Sequence, residues 1–283
     1  MFKSSGRRML VFAVVALGAA SFAAVAYANH NWRTYHWART SNPFTVKLGN
    51  NLSSGWSSYL QDASNDWSMS GVLDTRIVAG NSSPSTCPPT LGQVEVCNSN
   101  YGATGWLGIA SVWTSGGHIS QGTVKNNDYY FNQARYNTPA WRRFVTCQEV
   151  GHTFGLDHQD ENFRNTNLGS CMDYTNDPTG LAGTNGTLNN EHPNQHDYTQ
   201  LATIYSHLDS SNTAGQATAA AKMPPAVRDI IIEGPGQWGK LVRGSREQGY
   251  SDYELDFGGG HKVHTHVIWA SDEHEGEHDH EHE

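Results

Sequence analysis

One segment of this sequence, QEVGHTFGLDH at positions 148–158, restricts the local fold more than any other. Gln148 and His152 are four residues apart, so a helix places both side chains on one face, about one turn apart. Gly155 ends such a helix, because glycine adopts the positive φ of a sharp turn at little cost. The turn can then return His158 towards the face that carries His152. The segment predicts a helix, a tight turn and side chains that converge.

These side chains are of the types that hold a metal ion and act on water. Imidazole nitrogens are good zinc ligands, and an i, i+4 pair on a helix supplies two ligand positions. Glu149 lies beside the pair, where a carboxylate can take a proton from water and pass it to a leaving amine. The residues predict zinc-dependent hydrolysis of peptide bonds. His152, His158 and Gln148 are the expected ligands, and Glu149 is the expected base and acid.

The spacing is that of the motif HExxHxxGxxH, except that Gln148 stands at the position of the first His. The segment resembles the active-site helix of the metzincins, and of matrixin-like secreted bacterial members in particular. A second segment, SCMDY at 170–174, resembles the Met-turn of that family. The resemblance implies that Met172 forms a hydrophobic floor beneath the metal and that Tyr174 supports the oxyanion. The alternative for Tyr174 is a packed side chain with a bonded hydroxyl.

The glutamine leaves three interpretations open, because an amide oxygen is a poorer zinc ligand than imidazole. Gln148 is a weak ligand in a working enzyme, another group such as His118 or His196 completes the site, or the chain is a non-catalytic binding protein. A metal-chelating secreted protein is a further class, and it would depend on His264, His266 and the His-rich tail. We expect a working endopeptidase, with His264 and His266 merely exposed.

The resemblance also implies a place for the substrate. In metzincins an edge strand before the active-site helix binds the peptide as an added strand. The matching segment here runs from Trp106 to Trp113. A protein or peptide substrate is therefore expected along the residues Trp106, Leu107, Gly108, Ile109 and Ala110.

Hydrophobic periodicity predicts the elements around this centre. An apolar stripe predicts a helix from Trp56 to Trp67, Thr138-Pro139 begins the active-site helix, and a last helix is expected at 197–208. Apolar runs predict strands at about 43–48, 72–78, 94–97, 105–113 and 118–124. This order predicts an α/β (α+β) fold. The resemblance makes it a metzincin-like catalytic domain with a mixed twisted sheet, a long active-site helix and a Met-turn, plus a small C-terminal β-rich extension.

The first 28 residues are typical of a secretory signal. Lys3, Arg7 and Arg8 precede an apolar run, and Ala26-Tyr27-Ala28 offers a cleavage site. The run is about 17 residues, at the short limit for a membrane anchor. We expect cleavage after Ala28 and a secreted, extracellular chain without membrane contact.

Composition divides the rest of the chain. We expect a metalloprotease domain at 29–208, a linker at 209–225, a small β-rich region at 226–270 and an acidic, His-rich disordered tail at 271–283. Loss of the signal takes the formal charge from −9 to −12, which argues against nucleic acid as a partner. We expect a monomer.

An even number of cysteines in an exported chain favours two disulfides, and three pairings are possible. We predict pairing of Cys87 with Cys97 and of Cys147 with Cys171, the second of which would tie the active-site helix to the Met-turn. No CxxC spacing supports a cysteine zinc site. A structural calcium ion is a further possible cofactor, held by Asp157, Asp160 and Glu161.

Overall fold

One nine-stranded mixed sheet organises the chain in a computed structural model, which describes residues 30–183, 185–215 and 223–271. The strand order is β3-β2-β4-β6-β5-β9-β8-β7, and the short β1 pairs with β6. The strands from β3 to β6 along this order are parallel, and those from β6 to β7 are antiparallel. The strands are β1 His36–Trp37, β2 Phe44–Asn51, β3 Leu73–Ala79, β4 Gln93–Ser99, β5 Trp106–Ser115, β6 His118–Asn127, β7 Lys240–Ser245, β8 Tyr250–Asp256 and β9 His261–Trp269. The mixed α/β class expected from the order of elements is present.

Two longer helices, α1 and α3, pack on one face of the parallel half of the sheet. In α1, the buried stripe Leu60, Ala63 and Trp67 repeats at helical spacing and contacts α3. The side chain of Thr138 caps α3 and accepts a hydrogen bond from Trp141 N, with proline at the first helical position. The helices are α1 Ser57–Trp67, α2 Asp128–Phe131, α3 Pro139–His152, α4 Gln195–Ile204 and α5 Pro225–Arg228.

The C-terminal strands continue the main sheet rather than forming a separate region. β9 pairs with β5 along nearly its whole length, and β8 and β7 follow as antiparallel neighbours. Alternate residues of β9 enter different cores. Val263, Val267 and Trp269 pack in a second hydrophobic cluster with Trp238, whereas Ile268 packs in the main one. Both faces of β9 are therefore covered, which local composition did not indicate.

The segment after α4 is also packed into the domain. The carboxylate of Asp209 accepts hydrogen bonds from Arg39, and the hydroxyl of Thr213 accepts one from Ala38 N. Residues 209–213 thus belong to the domain and not to a linker. Residues 216–222 of the expected linker, the signal at 1–28 and the tail from 272 onwards lie outside the described residues.

Two disulfides join the pairs predicted from the sequence. Cys87 is bonded to Cys97, and Cys147 on α3 is bonded to Cys171 in the segment that resembles a Met-turn. The second bond fixes the helix to that segment. Among the described residues, no helix has the length and apolar character needed to cross a membrane.

Candidate metal centre

The end of α3 turns as the segment 148–158 predicts. α3 ends at His152, and Gly155 has φ of 92°. A Cβ at this glycine would lie 2.1 Å from the backbone oxygen of Tyr35, so that any side chain would collide with fixed backbone. The turn returns His158 to His152, and their ring centroids are 4.5 Å apart.

A third histidine from β9 joins this pair. Ligand atoms of His152, His158 and His266 all lie within 4.8 Å of one another, and all three side chains are buried. Neither His118 nor His196, the residues first considered for this role, belongs to the cluster. The expectation that His264 and His266 are exposed is wrong, because both lie on the face of β9 that covers the site.

A hydrogen bond orients the ring of His152, and a contact with a carboxylate lies beside the ring of His158. His152 Nδ1 lies 2.9 Å from the carbonyl oxygen of Leu156, which can only accept, so Nδ1 carries the proton. His158 Nδ1 lies 3.2 Å from a carboxylate oxygen of Asp157. The Nε2 atoms of both rings are buried and have no hydrogen-bond partner. Buried polar atoms without partners are costly, and a bound cation would satisfy them.

Glu149 and Tyr174 contact the third histidine. His266 Nδ1 is 3.1 Å from Glu149 Oε2, and its Nε2 is 2.7 Å from the hydroxyl of Tyr174. A carboxylate only accepts, so the ring donates through Nδ1, and Nε2 accepts the proton of the tyrosine hydroxyl. The structure thus brings the expected base, the expected oxyanion donor and the histidines together.

Burial sets the charge states in this centre. It raises the pKa of Glu149 to about 8, with nearby His152 acting against the shift. Burial also lowers the pKa of His158 and of His266 to about 3, and lowers that of His152 well below its usual range. The imidazoles are therefore neutral at pH 7, which is the protonation state that binds a metal.

Gln148 lies on α3 one turn before His152, and its side chain is held by the SCMDY segment. Its Nε2 donates to the carbonyl oxygen of Cys171 at 2.9 Å. Its Oε1 is buried and has no hydrogen-bond partner. This oxygen therefore has a lone pair available for a metal ion, as a ligand role would require.

Met172 packs against the same helix. A Cβ at Gly151 would lie 2.7 Å from the sulfur of Met172 and 2.6 Å from the ring of Trp67. Only glycine allows this close approach. The backbone of the SCMDY segment is held by Ser170, whose hydroxyl accepts from Met172 N and donates to the buried carboxylate of Asp197.

The expected substrate strand is present as β5, but its position differs from the expectation. It is an interior strand, paired with β6 on one side and β9 on the other, so the prediction of an edge strand is wrong. Ala110 lies directly opposite His266 in the antiparallel register. The glycine at 108 permits close packing on α3, since a Cβ there would meet Val145 at 2.6 Å. The peptide groups of β5 that would hold a substrate are bonded to β9.

Aromatic rings separate the centre from a surface cavity of about 820 Å³. Phe163 and Tyr250 line this cavity, and both stack on Tyr174, with ring centroids 4.5 and 5.0 Å away. Tyr174 in turn packs on His158, with ring centroids 4.1 Å apart, so ring contacts connect the cavity to the buried histidines.

The acidic residues considered for calcium are engaged elsewhere. The guanidinium of Arg243 lies 2.5 Å from Asp157 and 2.9 Å from Glu161. Asp160 accepts from Asn162 N. The positively charged guanidinium thus lies between the carboxylates of Asp157 and Glu161, which disfavours calcium binding by these residues.

The signal for the third histidine was the alternation in HKVHTHVIW, which places residues 264 and 266 on one face of a strand. What local sequence could not show is that this face meets Glu149 on α3, more than a hundred residues earlier in the chain. Comparison with models of known protein families and with curated proteins finds no match to this chain.

Proposed function

We propose that this chain is a secreted zinc-dependent endopeptidase of the metzincin type. The observation that carries the proposal is the convergence of His152, His158 and His266 around Glu149 in one buried cluster. Three imidazoles and an adjacent carboxylate form the ligand and base set that zinc hydrolases use. The two disulfides fit an extracellular setting.

The residues present fit a zinc ion. The Nε2 atoms of the two motif histidines are unpartnered and aimed into the cluster, and low pKa values keep all three rings neutral. His152 and His158 would hold the ion, and His266 would join them through Nε2 by giving up its hydrogen bond with the Tyr174 hydroxyl. Gln148 Oε1 is a further buried oxygen donor. Zinc in such a site acts as a Lewis acid and makes water acidic enough to react near neutral pH.

The protein side chains would handle the protons. Glu149 Oε1 has no hydrogen-bond partner, while Oε2 is held by His266, so Oε1 is the atom available to accept a proton. Without a cation, the raised pKa of about 8 favours the protonated form of Glu149 at pH 7. Beside a bound cation the carboxylate would be favoured, and it could take a proton and then return it to the leaving amine. The hydroxyl of Tyr174 would donate a hydrogen bond to the developing oxyanion.

We infer that this arrangement is a closed form of the proposed enzyme, in which β9 covers β5. β9 lies antiparallel along β5, the arrangement in which an extended peptide substrate would bind, and places His266 opposite Ala110. A protein or peptide substrate reaches the centre only when β9 moves aside. His266 then leaves with β9, so His152, His158 and Gln148 Oε1 would hold the ion in the open form. We therefore propose that the C-terminal strand keeps the enzyme latent and that turnover requires its release.

The test is hydrolysis of casein by the intact mature chain reconstituted with zinc. A small open fraction gives slow turnover, since the observed rate scales with the population of the competent state. We expect this turnover to stop with a chelator, to return with zinc, and to be absent in Glu149→Ala, which should still bind zinc. Turnover that survives in Glu149→Ala would remove Glu149 from the mechanism.

The complete burial of the centre favours a second candidate, a non-catalytic secreted protein whose metal only stabilises the fold. In that case zinc raises the thermal midpoint of the chain, as any ligand specific for the folded state does. No form of the chain, with β9 paired or displaced, would then hydrolyse casein.

A further inference from the structure

A second group of histidines lies beside β1, made of side chains outside the cluster described above. His36 on β1 and His118 at the start of β6 are directly paired in the parallel register of these strands. His207 and Asp209 lie in the segment that follows α4 and contact the same two side chains. The group joins residues up to 173 positions apart in the sequence.

All three imidazoles direct Nε2 towards one oxygen. Asp209 Oδ1 lies 3.5 Å from His36 Nε2, 3.1 Å from His118 Nε2 and 3.7 Å from His207 Nε2. The Nε2 atoms of His36 and His207 are 3.1 Å apart. Ligand atoms about 2.0–2.1 Å from a tetrahedral zinc ion lie about 3.3 Å from one another. These four separations scatter around that value. Ligand atoms of His36, His118 and Asp209 all lie within 4.8 Å of one another, and His207 lies beside them next to His36.

Neighbouring groups leave the facing atoms as acceptors. His36 Nδ1 lies 2.8 Å from the carbonyl oxygen of Thr34, which fixes the proton on Nδ1 and leaves the lone pair on Nε2 of the neutral ring. Asp209 Oδ2 accepts from the Nη1 and backbone N of Arg39, at 2.9 and 3.2 Å. Oδ1 therefore faces the imidazoles, with the Nε2 atoms of His118 and His36 within hydrogen-bond distance. Two acceptor atoms that face each other repel, and a cation between them reverses the sign of that interaction.

Arg39 also holds the segment in place. Its Nη2 donates to the carbonyl oxygen of His207, and its guanidinium lies 4.8 Å from the ring centroid of Tyr205. The side chains of His36 and Asp209 are 12% and 10% exposed, whereas those of His118 and His207 are 37% and 52% exposed. Hydrogen bonds hold the two buried members of the group, His36 and Asp209. The more exposed histidines are accessible to ions from solvent.

We propose that His36, His118, His207 and Asp209 form a structural zinc site, separate from the centre at His152. With a small movement of the half-exposed His207 side chain, three imidazoles and one carboxylate oxygen would complete a closed tetrahedral set, the coordination typical of structural zinc. The site ties β1 and β6 to the end of the segment after α4. β1 in turn supports the active-site turn, because Trp37 Nε1 donates to the carbonyl oxygen of Thr153 at 2.9 Å.

The experiment counts zinc retained by the full mature chain after gel filtration, by elemental analysis. It compares wild type with the double variant His118→Ala, His207→Ala. The matched control is His192→Ala, a surface histidine paired with Asp66 outside the group. We expect the double variant to lose one equivalent of zinc and the control to lose none. Because the result is a difference between variants, it does not depend on whether the first centre holds zinc or on metal bound by the tail.

Two further measurements distinguish loss of the zinc site from misfolding of the variant. His207→Ala alone, at a half-exposed side chain, should weaken one zinc equivalent at least tenfold in a chelator titration while the circular dichroism spectrum is unchanged. Co²⁺ in place of zinc should give the visible absorption of tetrahedral cobalt, reduced in this variant. Equal zinc retention by wild type and the double variant, or unchanged affinity in His207→Ala, overturns the proposal.

Discussion

Replacement of His266 by alanine separates its role as a ligand from its role in packing. The change removes a nitrogen from the cluster and leaves the hydroxyl of Tyr174 and Oε2 of Glu149 without their partner. His264 is the matched control. It is buried two residues earlier on the same face of β9, stacks on Tyr35 at 3.9 Å, and does not belong to the cluster.

The two variants should differ in zinc affinity and not in stability. Structural zinc sites with four ligands bind with about 10–16 kcal/mol, so one ligand contributes about 3 kcal/mol, on the order of 100-fold in affinity. His266→Ala should lose about that factor, whereas His264→Ala should stay within a few-fold of wild type. Both lose buried contacts, so each apo form should be less stable by about 2–4 kcal/mol.

The assay is competition for zinc with a chromophoric chelator of known affinity, alongside urea unfolding of the apo forms. Because the chain is proposed to hold two zinc ions, the affinity that changes must be assigned to this centre. His152→Ala makes the assignment, since it should remove zinc binding at this centre alone. Equal zinc affinities in His266→Ala and His264→Ala would refute the assignment of His266 as a ligand, whatever the two stabilities are.

Three further changes test the parts of the centre. Gly155→Ala should lower stability by about 3 kcal/mol or more, because φ is 92° and the new Cβ meets Tyr35 O. Gly102→Ala is the control and should cost less, because φ is 80° there but the space around it is open. Thermal unfolding compares the two variants. Removing the Cys147–Cys171 bond by paired Cys→Ala changes should cost about 3 kcal/mol in urea unfolding and weaken zinc binding, whereas loss of Cys87–Cys97 should leave zinc affinity unchanged. Gln148→His should tighten zinc binding about tenfold or more in the chelator titration, and unchanged affinity would show that residue 148 does not face the metal.

Local sequence predicted the parts of the centre that lie on one short segment. The i, i+4 spacing, the glycine turn and the cap at Thr138 are local properties, and α3 with its turn follows from them. The cysteine pairs were accessible too, because few pairings exist for four cysteines.

The third histidine was not accessible in this way. An alternating HTH pattern shows that residues 264 and 266 share a face, but not whether that face meets water or a helix. β9 is buried because a second cluster around Trp238 covers its other face, and this depends on residues spread from 106 to 269. For the same reason β5 resembled an edge strand, since its second neighbour lies about 150 residues later in the chain.

The central claim is that β9 closes a zinc peptidase centre, and displacement of β9 in the full chain tests it most directly. Thr265 lies opposite Ser111 in the middle of the β9–β5 ladder, so Thr265→Pro removes a ladder hydrogen bond and disfavours the pairing. Val242→Pro is the control, because this residue is at an irregularity of the outermost strand β7, where proline is tolerated. At saturating zinc, which offsets the loss of the His266 ligand, casein hydrolysis by Thr265→Pro should exceed that of wild type and Val242→Pro at least tenfold, and adding Glu149→Ala should abolish it. A Thr265→Pro chain that retains zinc and its helical circular dichroism but hydrolyses casein no faster than wild type would contradict the account.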